Sequence, residues 1–208
     1  MKRNLFLLVA IISVVGMIAI SGCKKNDDDG GSGNGGNSKK EKYITSDEEA
    51  AQVARQLWFA INEIDGSIDV GTYSNEVVNA SGSGTAKVTG TITRHTPSGA
   101  WTETRTSKLT ITFDHFVLGG YYDTSADYYT FTGTITSDQS SYSSSNYKWT
   151  RYVDGNNIEI EGNGIKDVIT VNLQRYHNSS TTPSRKFPIA GGITSSSGER
   201  YSVYDGWE

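Results

Sequence analysis

Tyr129-Thr130-Phe131-Thr132-Gly133-Thr134-Ile135-Thr136 is the stretch on which the fold turns. Its aromatic, glycine and isoleucine positions alternate strictly with threonine. Successive side chains of a β-strand point to opposite faces, so this run has one apolar face and one face covered with hydroxyls. The same period of two recurs on either side of it. Val88, Gly90 and Ile92 alternate with Lys87, Thr89, Thr91 and Thr93, and Leu109, Ile111 and Phe113 alternate with Thr110, Thr112 and Asp114. Further on, Ile158 and Ile160 alternate with Glu159 and Glu161, and Ile169, Val171 and Leu173 with Thr170, Asn172 and Gln174. Strands with one dry face and one wet face favour antiparallel pairing.

Turn chemistry separates these runs. Thr96-Pro97-Ser98-Gly99 joins the strand through Ile92 to one from Trp101 to Leu118. Asp154-Gly155-Asn156-Asn157 and Gly162-Asn163-Gly164 read as tight turns, because Gly and Asn tolerate positive φ. Ser197-Gly198 closes a last hairpin between Ile193 and the strand Tyr201 to Tyr204, while Ser137 to Asn146 and Asn178 to Arg185 read as surface loops. A weak repeat runs through the pattern: Gly90-Thr91-Ile92-Thr93, Gly133-Thr134-Ile135-Thr136 and Gly192-Ile193-Thr194 each precede a polar loop and then an aromatic strand. The irregular spacing argues for successive hairpins rather than a propeller, and the recurring glycine marks a bend or bulge.

One segment has a different period. Ser46-Asp47-Glu48-Glu49 is a capping box, in which Ser46 accepts the Glu49 amide hydrogen and the Glu49 side chain reaches back. Ala50, Val53, Ala54, Leu57, Trp58, Ile61 and Ile64 then form one helical stripe, which Gly66 ends. The stripe must be buried on the sheet, which puts Trp58 in the core. The expected fold is mainly β: an antiparallel meander sheet, barrel-like or curved, with one N-terminal amphipathic α-helix packed on it. Barrel closure is favoured because it removes exposed strand edges.

The start of the chain reads as a targeting segment. Met1-Lys2-Arg3 is a short positive region, and the uncharged run from Leu5 to Ile20 is shorter than the roughly 20 apolar residues of a spanning helix. Ile20-Ser21-Gly22-Cys23 follows: an aliphatic residue, two small ones, then the only cysteine of the chain. This resembles the lipobox of bacterial lipoproteins cut by signal peptidase II. The resemblance implies a signal peptide over residues 1–22 and a diacylated Cys23 holding the protein on a membrane. Two or three chains, each buried methylene contributing about 0.8 kcal/mol, give a slowly released anchor.

Residues 23–42 read as a flexible tether. Lys24-Lys25-Asn26-Asp27-Asp28-Asp29 leads into Gly, Ser and Asn from Gly30 to Asn37, too polar to order itself. Lys24 stands where enteric inner-membrane lipoproteins carry a retention aspartate. The lysine-then-acid tract resembles the export signal of surface lipoproteins of Bacteroidota, which implies an outer-membrane anchor and exposure at the cell surface. Spirochaete lipoproteins carry comparable tethers, so the resemblance leaves the phylum open. The remainder, residues 43–208, is one β-rich domain by length.

Loss of Lys2 and Arg3 leaves 17 basic residues against 23 acids, a net charge of −6. Such a surface repels phosphate backbones, so a nucleic-acid partner is not expected. His95, His115 and His177 have no second His or Cys at ligand spacing, and three consecutive aspartates lack the alternating ligands of a calcium loop. No cofactor or metal is expected. Ala80-Ser81-Gly82-Ser83-Gly84 lacks the spacing of a nucleophile elbow and reads as a linker. Glu159 and Glu161 share a strand face, and Asp123, Asp127 and Asp138 lie in or near loops, so no enzymatic activity is expected.

The aromatics are the feature that points to a ligand. The chain has 12 Tyr and 4 Trp, and adjacent tyrosines must face opposite ways, so one of Tyr121 and Tyr122, and one of Tyr128 and Tyr129, points outward. Tyr122, Tyr128, Tyr147 and Trp149 are the candidate ligand-binding residues, since exposed Tyr and Trp suit sugars or protein partners. The competing account is aromatic pairing across strands. The expected role is a non-enzymatic binding module for a glycan or protein. The alternatives are a periplasm-facing carrier of a hydrophobic ligand and a structural envelope lipoprotein. Cys23→Ser is expected to move the protein from the membrane fraction to a soluble or unprocessed form, read by fractionation after high-salt washing. Full retention on the membrane would remove the lipid anchor from this reading.

Overall fold

The computed structural model describes residues 42–95, 104–119, 128–142, 148–178 and 188–206. Helix α1 (Asp47–Ser67) comes before eight strands: β1 (Gly71–Asn79), β2 (Ser83–His95), β3 (Thr104–Val117), β4 (Thr130–Tyr142), β5 (Lys148–Gly162), β6 (Ile165–Asn178), β7 (Ile189–Thr194) and β8 (Arg200–Asp205). Each strand pairs antiparallel with the next, in the order β1 to β8. The alternation read from the sequence is the alternation observed. Val88, Ile92, Leu109, Ile111, Phe113, Phe131, Ile135, Ile158, Ile160, Ile169, Val171 and Leu173 are all buried, and the threonines between them face outward.

Closure into a barrel does not occur, because β1 and β8 are not paired. Helix α1 supplies the physical reason. Its predicted stripe is buried, and so are Gln56, Ala60 and Glu63, so most of its circumference is covered. An α-helix with its side chains is about 10–12 Å across. A closed eight-stranded barrel has an interior only wide enough for side chains or one small ligand. The sheet therefore curves around the helix, which packs on β8 and β7. Trp58, Phe113, Phe116, Tyr129 and Phe131 fill the space between them.

The helix cap forms, with one difference in detail. Ser46 is extended and its hydroxyl accepts from the Glu49 amide at 3.2 Å. The Glu49 carboxylate reaches back one residue further than the Ser46 amide, to the Thr45 amide and hydroxyl at 2.8 and 2.9 Å. The helix also continues past Gly66 to Ser67, whose hydroxyl bonds the Glu63 carbonyl.

Three segments read as turns, loops or linker prove to belong to strands. Asp154 to Asn157 lies inside β5 and is a β-bulge between Gly155 and Ile158, with Asn157 at φ 56°. This bulge, like a tight turn of the primed types, holds a residue at positive φ, so one composition serves either. Ser137 to Tyr142 continues β4, paired with Lys148 to Val153. Ala80 to Gly84 is no linker: it is the β1–β2 connection and the first residues of β2. There Ser81 donates from its amide and hydroxyl to the buried Glu63 carboxylate at 2.6 and 2.7 Å. The Gly162-Asn163-Gly164 turn is present, with Asn163 and Gly164 at φ 48° and 76°, and the Ser197-Gly198 turn joins β7 to β8. Thr96 to Gly99 lies outside the described residues.

The weak glycine repeat has a structural meaning. Bulges interrupt β1 between Tyr73 and Glu76 and β3 between Phe113 and Phe116, with Asn75 and His115 at φ 58° and 50°. Gly90 and Gly133 pair with Tyr73 and Phe113, the residues just before each bulge. The threonine ahead of each glycine completes the device: Thr89 Oγ1 accepts from the Asn75 amide and Thr132 Oγ1 from the His115 amide. At the third repeat the glycine at positive φ is Gly191 rather than Gly192, and β6 pairs with it without a bulge.

Gly90 lies at φ 138°, and a Cβ there would stand 2.1 Å from the Lys108 carbonyl oxygen. Gly90→Ala is therefore expected to destabilise the protein by about 2 kcal/mol or more, from strained backbone and overpacking together. Gly66→Ala, which would meet nothing within 4 Å, is expected to stabilise it by about 0.5–1 kcal/mol. Urea unfolding of the two variants checks both signs.

Candidate functional site

A cleft on the described surface brings unlike functional groups together. It encloses about 370 Å³ at the end of the sheet carrying the β5–β6 turn. Its walls come from neighbouring strands in register. Thr132 of β4 is opposite Glu159 of β5, and Glu159 opposite Val168 of β6; one step along, Thr130 faces Glu161 and Glu161 faces Lys166. His115, lifted outward by its bulge, adds an imidazole whose Nδ1 lies 2.7 Å from Asp114 Oδ1.

The remaining wall is built by the residues before helix α1. Strand β7 pairs with β6 only from Thr170 onward, which leaves the first residues of β6, paired with β5 on one side, without a strand on the other. Lys42 to Ile44 runs there: the Lys166 amide donates to the Lys42 carbonyl at 3.0 Å, and the Ile44 amide donates to Asp167 Oδ2 at 3.2 Å. This places the half-exposed Tyr43 ring at the rim.

Asp167 holds that arrangement together. Its buried carboxylate also accepts from the Ser195 hydroxyl at 2.6 Å, from the Ser196 amide and hydroxyl at 3.1 and 2.6 Å, and from the Val168 amide at 2.8 Å. Burial pushes the Asp167 pKa up. The hydrogen bonds from Ser195, Ser196 and Ile44 outweigh that effect and hold it below the ordinary carboxylate value. Glu49 behaves alike: burial raises its pKa, and Lys42 and Thr45 bring it down further.

The cleft thus presents the Glu159 and Glu161 carboxylates beside that of Asp167, a lysine, an imidazole, two threonine hydroxyls and an aromatic ring. These can accept from and donate to a polyhydroxyl ligand while the ring covers an apolar face of it. Glu159 and Glu161 are two residues apart on one strand, roughly 6.5–7 Å along it, so both stand on the same wall. Among the described residues no group of three or more His, Cys, Asp and Glu side chains could hold a metal ion.

A second polar region lies on the inward face at the opposite end of the strands. Ser107, Gln139, Arg151 and Arg175 follow one another across β3, β4, β5 and β6 in register. Asp65 of helix α1 accepts from Arg105 at 3.1 Å and from Arg151 at 2.5 Å. Arg151 also donates to Asn62 Oδ1 at 3.1 Å and to Gln139 Oε1. Its guanidinium lies 5.7 Å from the Trp58 ring centre, while that of Arg175 lies 5.6 Å from Trp58 and 5.8 Å from Trp149.

Of the residues singled out in the sequence, Cys23, Tyr122 and Tyr147 lie outside the described residues. Tyr128 is half-buried immediately before β4, at the cleft end of the sheet, and Trp149 is half-buried near the start of β5, at the arginine end. Roughly 40 Å of strand separates the two ends, so Tyr128 and Trp149 do not share a surface. Glu159, Glu161 and His115 meet in the cleft, whereas Tyr43 and Asp167 carried no local signal of their part in it. No protein-family model matches the chain, and neither curated proteins nor solved structures show a match to it.

Asp167→Asn is expected to cost about 2 kcal/mol near neutral pH, since several buried donors lose a charged acceptor. The native pKa is lowered, so this stabilisation is complete above the ordinary carboxylate pKa of about 3.9 and fades as the pH falls below it. The gap between wild type and variant should close in acid. A gap unchanged down to pH 2 would remove the carboxylate from this role.

Proposed function

We propose that this chain is a lipid-anchored binding module of the outer membrane, held by Cys23, which takes a glycan in the cleft of Tyr43, His115, Glu159, Glu161 and Lys166. The observation that carries the reading is the cleft itself: an exposed aromatic ring facing hydrogen-bonding groups of both polarities on a rigid sheet. Sites for small polar ligands are built from a few placed polar groups beside an apolar contact. Binding without hydrolysis is supported by the carboxylate placement. Glycosidases need two carboxyl groups flanking the scissile bond; here Glu159 and Glu161 line one wall, and the Asp167 carboxylate is taken up by its hydrogen bonds to Ile44, Val168, Ser195 and Ser196.

The lipobox, the tether and the lysine-then-acid tract support anchoring and a surface location. A carrier of hydrophobic ligands would need room between helix and sheet, and Trp58, Phe113, Phe116 and Phe131 occupy that space. Tyr122 and Tyr147 remain candidates for a wider contact with a glycan or protein ligand.

Affinity electrophoresis of the full chain through gels containing a glucan, a mannan or a polygalacturonate tests the cleft. Retardation by at least one polysaccharide is expected, without release of shorter sugars. In the folded Tyr43→Ala/Glu159→Gln double variant it should weaken at least tenfold, as expected for loss of one stacking and one hydrogen-bonding contact. Unchanged retardation in that variant would take the ligand away from this cleft. Protease treatment of intact cells tests the location: loss of the domain while a periplasmic control survives is expected, and protection would put the domain inside.

A further inference from the structure

The arginine end of the sheet carries unmet hydrogen-bonding groups, each of them able to donate. Ser107 and Ser137 are 2% and 1% exposed, and neither hydroxyl has a hydrogen-bond partner. The Nε of Arg151, a residue 4% exposed, and the Nε of Arg105 are likewise buried without an acceptor. Ser107 is opposite Gln139, Gln139 is opposite Arg151, and Ser137 is two residues from Gln139 on the same inward face. Arg105 is two residues before Ser107 on β3 and meets Arg151 at the Asp65 carboxylate, so the four groups belong to one region of the interior.

All four can donate, and two belong to cations. Arg105 and Arg151 lean on a single carboxylate, that of Asp65. Buried polar atoms in folded proteins are nearly always satisfied, and buried charges are paired. The complement of this area is an acceptor bearing negative charge. Guanidinium groups present donors in a planar fork that matches carboxylate and phosphate oxygens. The Trp58 ring beside Arg151 holds that guanidinium in orientation. The half-buried Trp149 and Arg175 stand at the outer margin of the area, on the side nearest solvent.

We infer that this inward area, formed by Arg105, Ser107, Ser137 and Arg151, is a binding site for a small oxyanion group, a carboxylate or a phosphate. It is separate from the glycan cleft and does not depend on it.

The full chain, purified in detergent, is titrated with sodium phosphate, sodium acetate or sodium chloride at matched ionic strength. Thermal unfolding and tryptophan fluorescence are recorded. Phosphate or acetate is expected to raise the unfolding midpoint saturably, by about 3–5 °C at high occupancy, with chloride at least tenfold weaker. A phosphate response alone identifies a phosphate site, and an acetate response a carboxylate site. The Ser107→Ala/Ser137→Ala double variant separates binding from folding. Without added anion it should unfold at or above the wild-type midpoint, because it removes buried hydroxyls that bond to nothing. Its apparent affinity for the effective anion should fall at least tenfold. The inference is overturned if all three salts act alike, if the response never saturates, or if the double variant responds as wild type does.

Discussion

A helix lying within the curve of the sheet is the constraint from which the rest of the structure follows. Helix α1 is buried on most of its circumference and needs more room than a closed barrel of eight strands leaves. The sheet stays open, and its edges are handled individually. At β8 the Ser202 amide is capped by Asp47 at 2.8 Å, and Arg55 forms a paired contact with Asp205 at 2.6 and 2.7 Å. At the first residues of β6, where β7 has not yet begun, the chain from Lys42 to Ile44 fills the place of a strand. The cleft exists because the helix must be led in along that route.

Curvature comes from a device used twice. A threonine–glycine pair on one strand faces a bulge on the strand before it. The threonine hydroxyl receives the amide of the residue at positive φ, and the glycine allows the close approach. Bulges bend and twist a strand locally, so repeated bulges wrap a sheet around a cylinder. In β3 the same device turns the His115 side chain outward into the cleft wall, so one local feature shapes the core and positions a surface group.

Much of this was legible in the residues. Alternation in Leu109, Ile111 and Phe113, or in Ile169, Val171 and Leu173, assigns strand and face at once. The same parity puts Arg105 and Ser107 in phase with Leu109, and Arg151 with Val153; a buried polar cluster could have been read from that phase, against the habit of assigning arginine to the surface. Two things were beyond reach. Gly155 and Asn157 have the composition of a turn and of a bulge equally, and only the strands beside them decide. Tyr43 reaches the cleft through hydrogen bonds spanning more than a hundred residues of chain, as between Ile44 and Asp167, and no local pattern encodes such a contact.

The order of the elements also has a kinetic side. Every strand pairs with its neighbour in the chain, so the sheet can assemble hairpin by hairpin with short loop closures. The helix, first of the elements, is joined by the Arg55–Asp205 pair to the last, 150 residues away. Its closest approach is to β8 and β7, so that part of its packing is complete only when the last hairpin exists. A chain emerging amino-terminus first would complete the packing of its helix only when the final hairpin arrived, a late and long-range step. Such a chain gains the last part of its native stability only when its two ends meet.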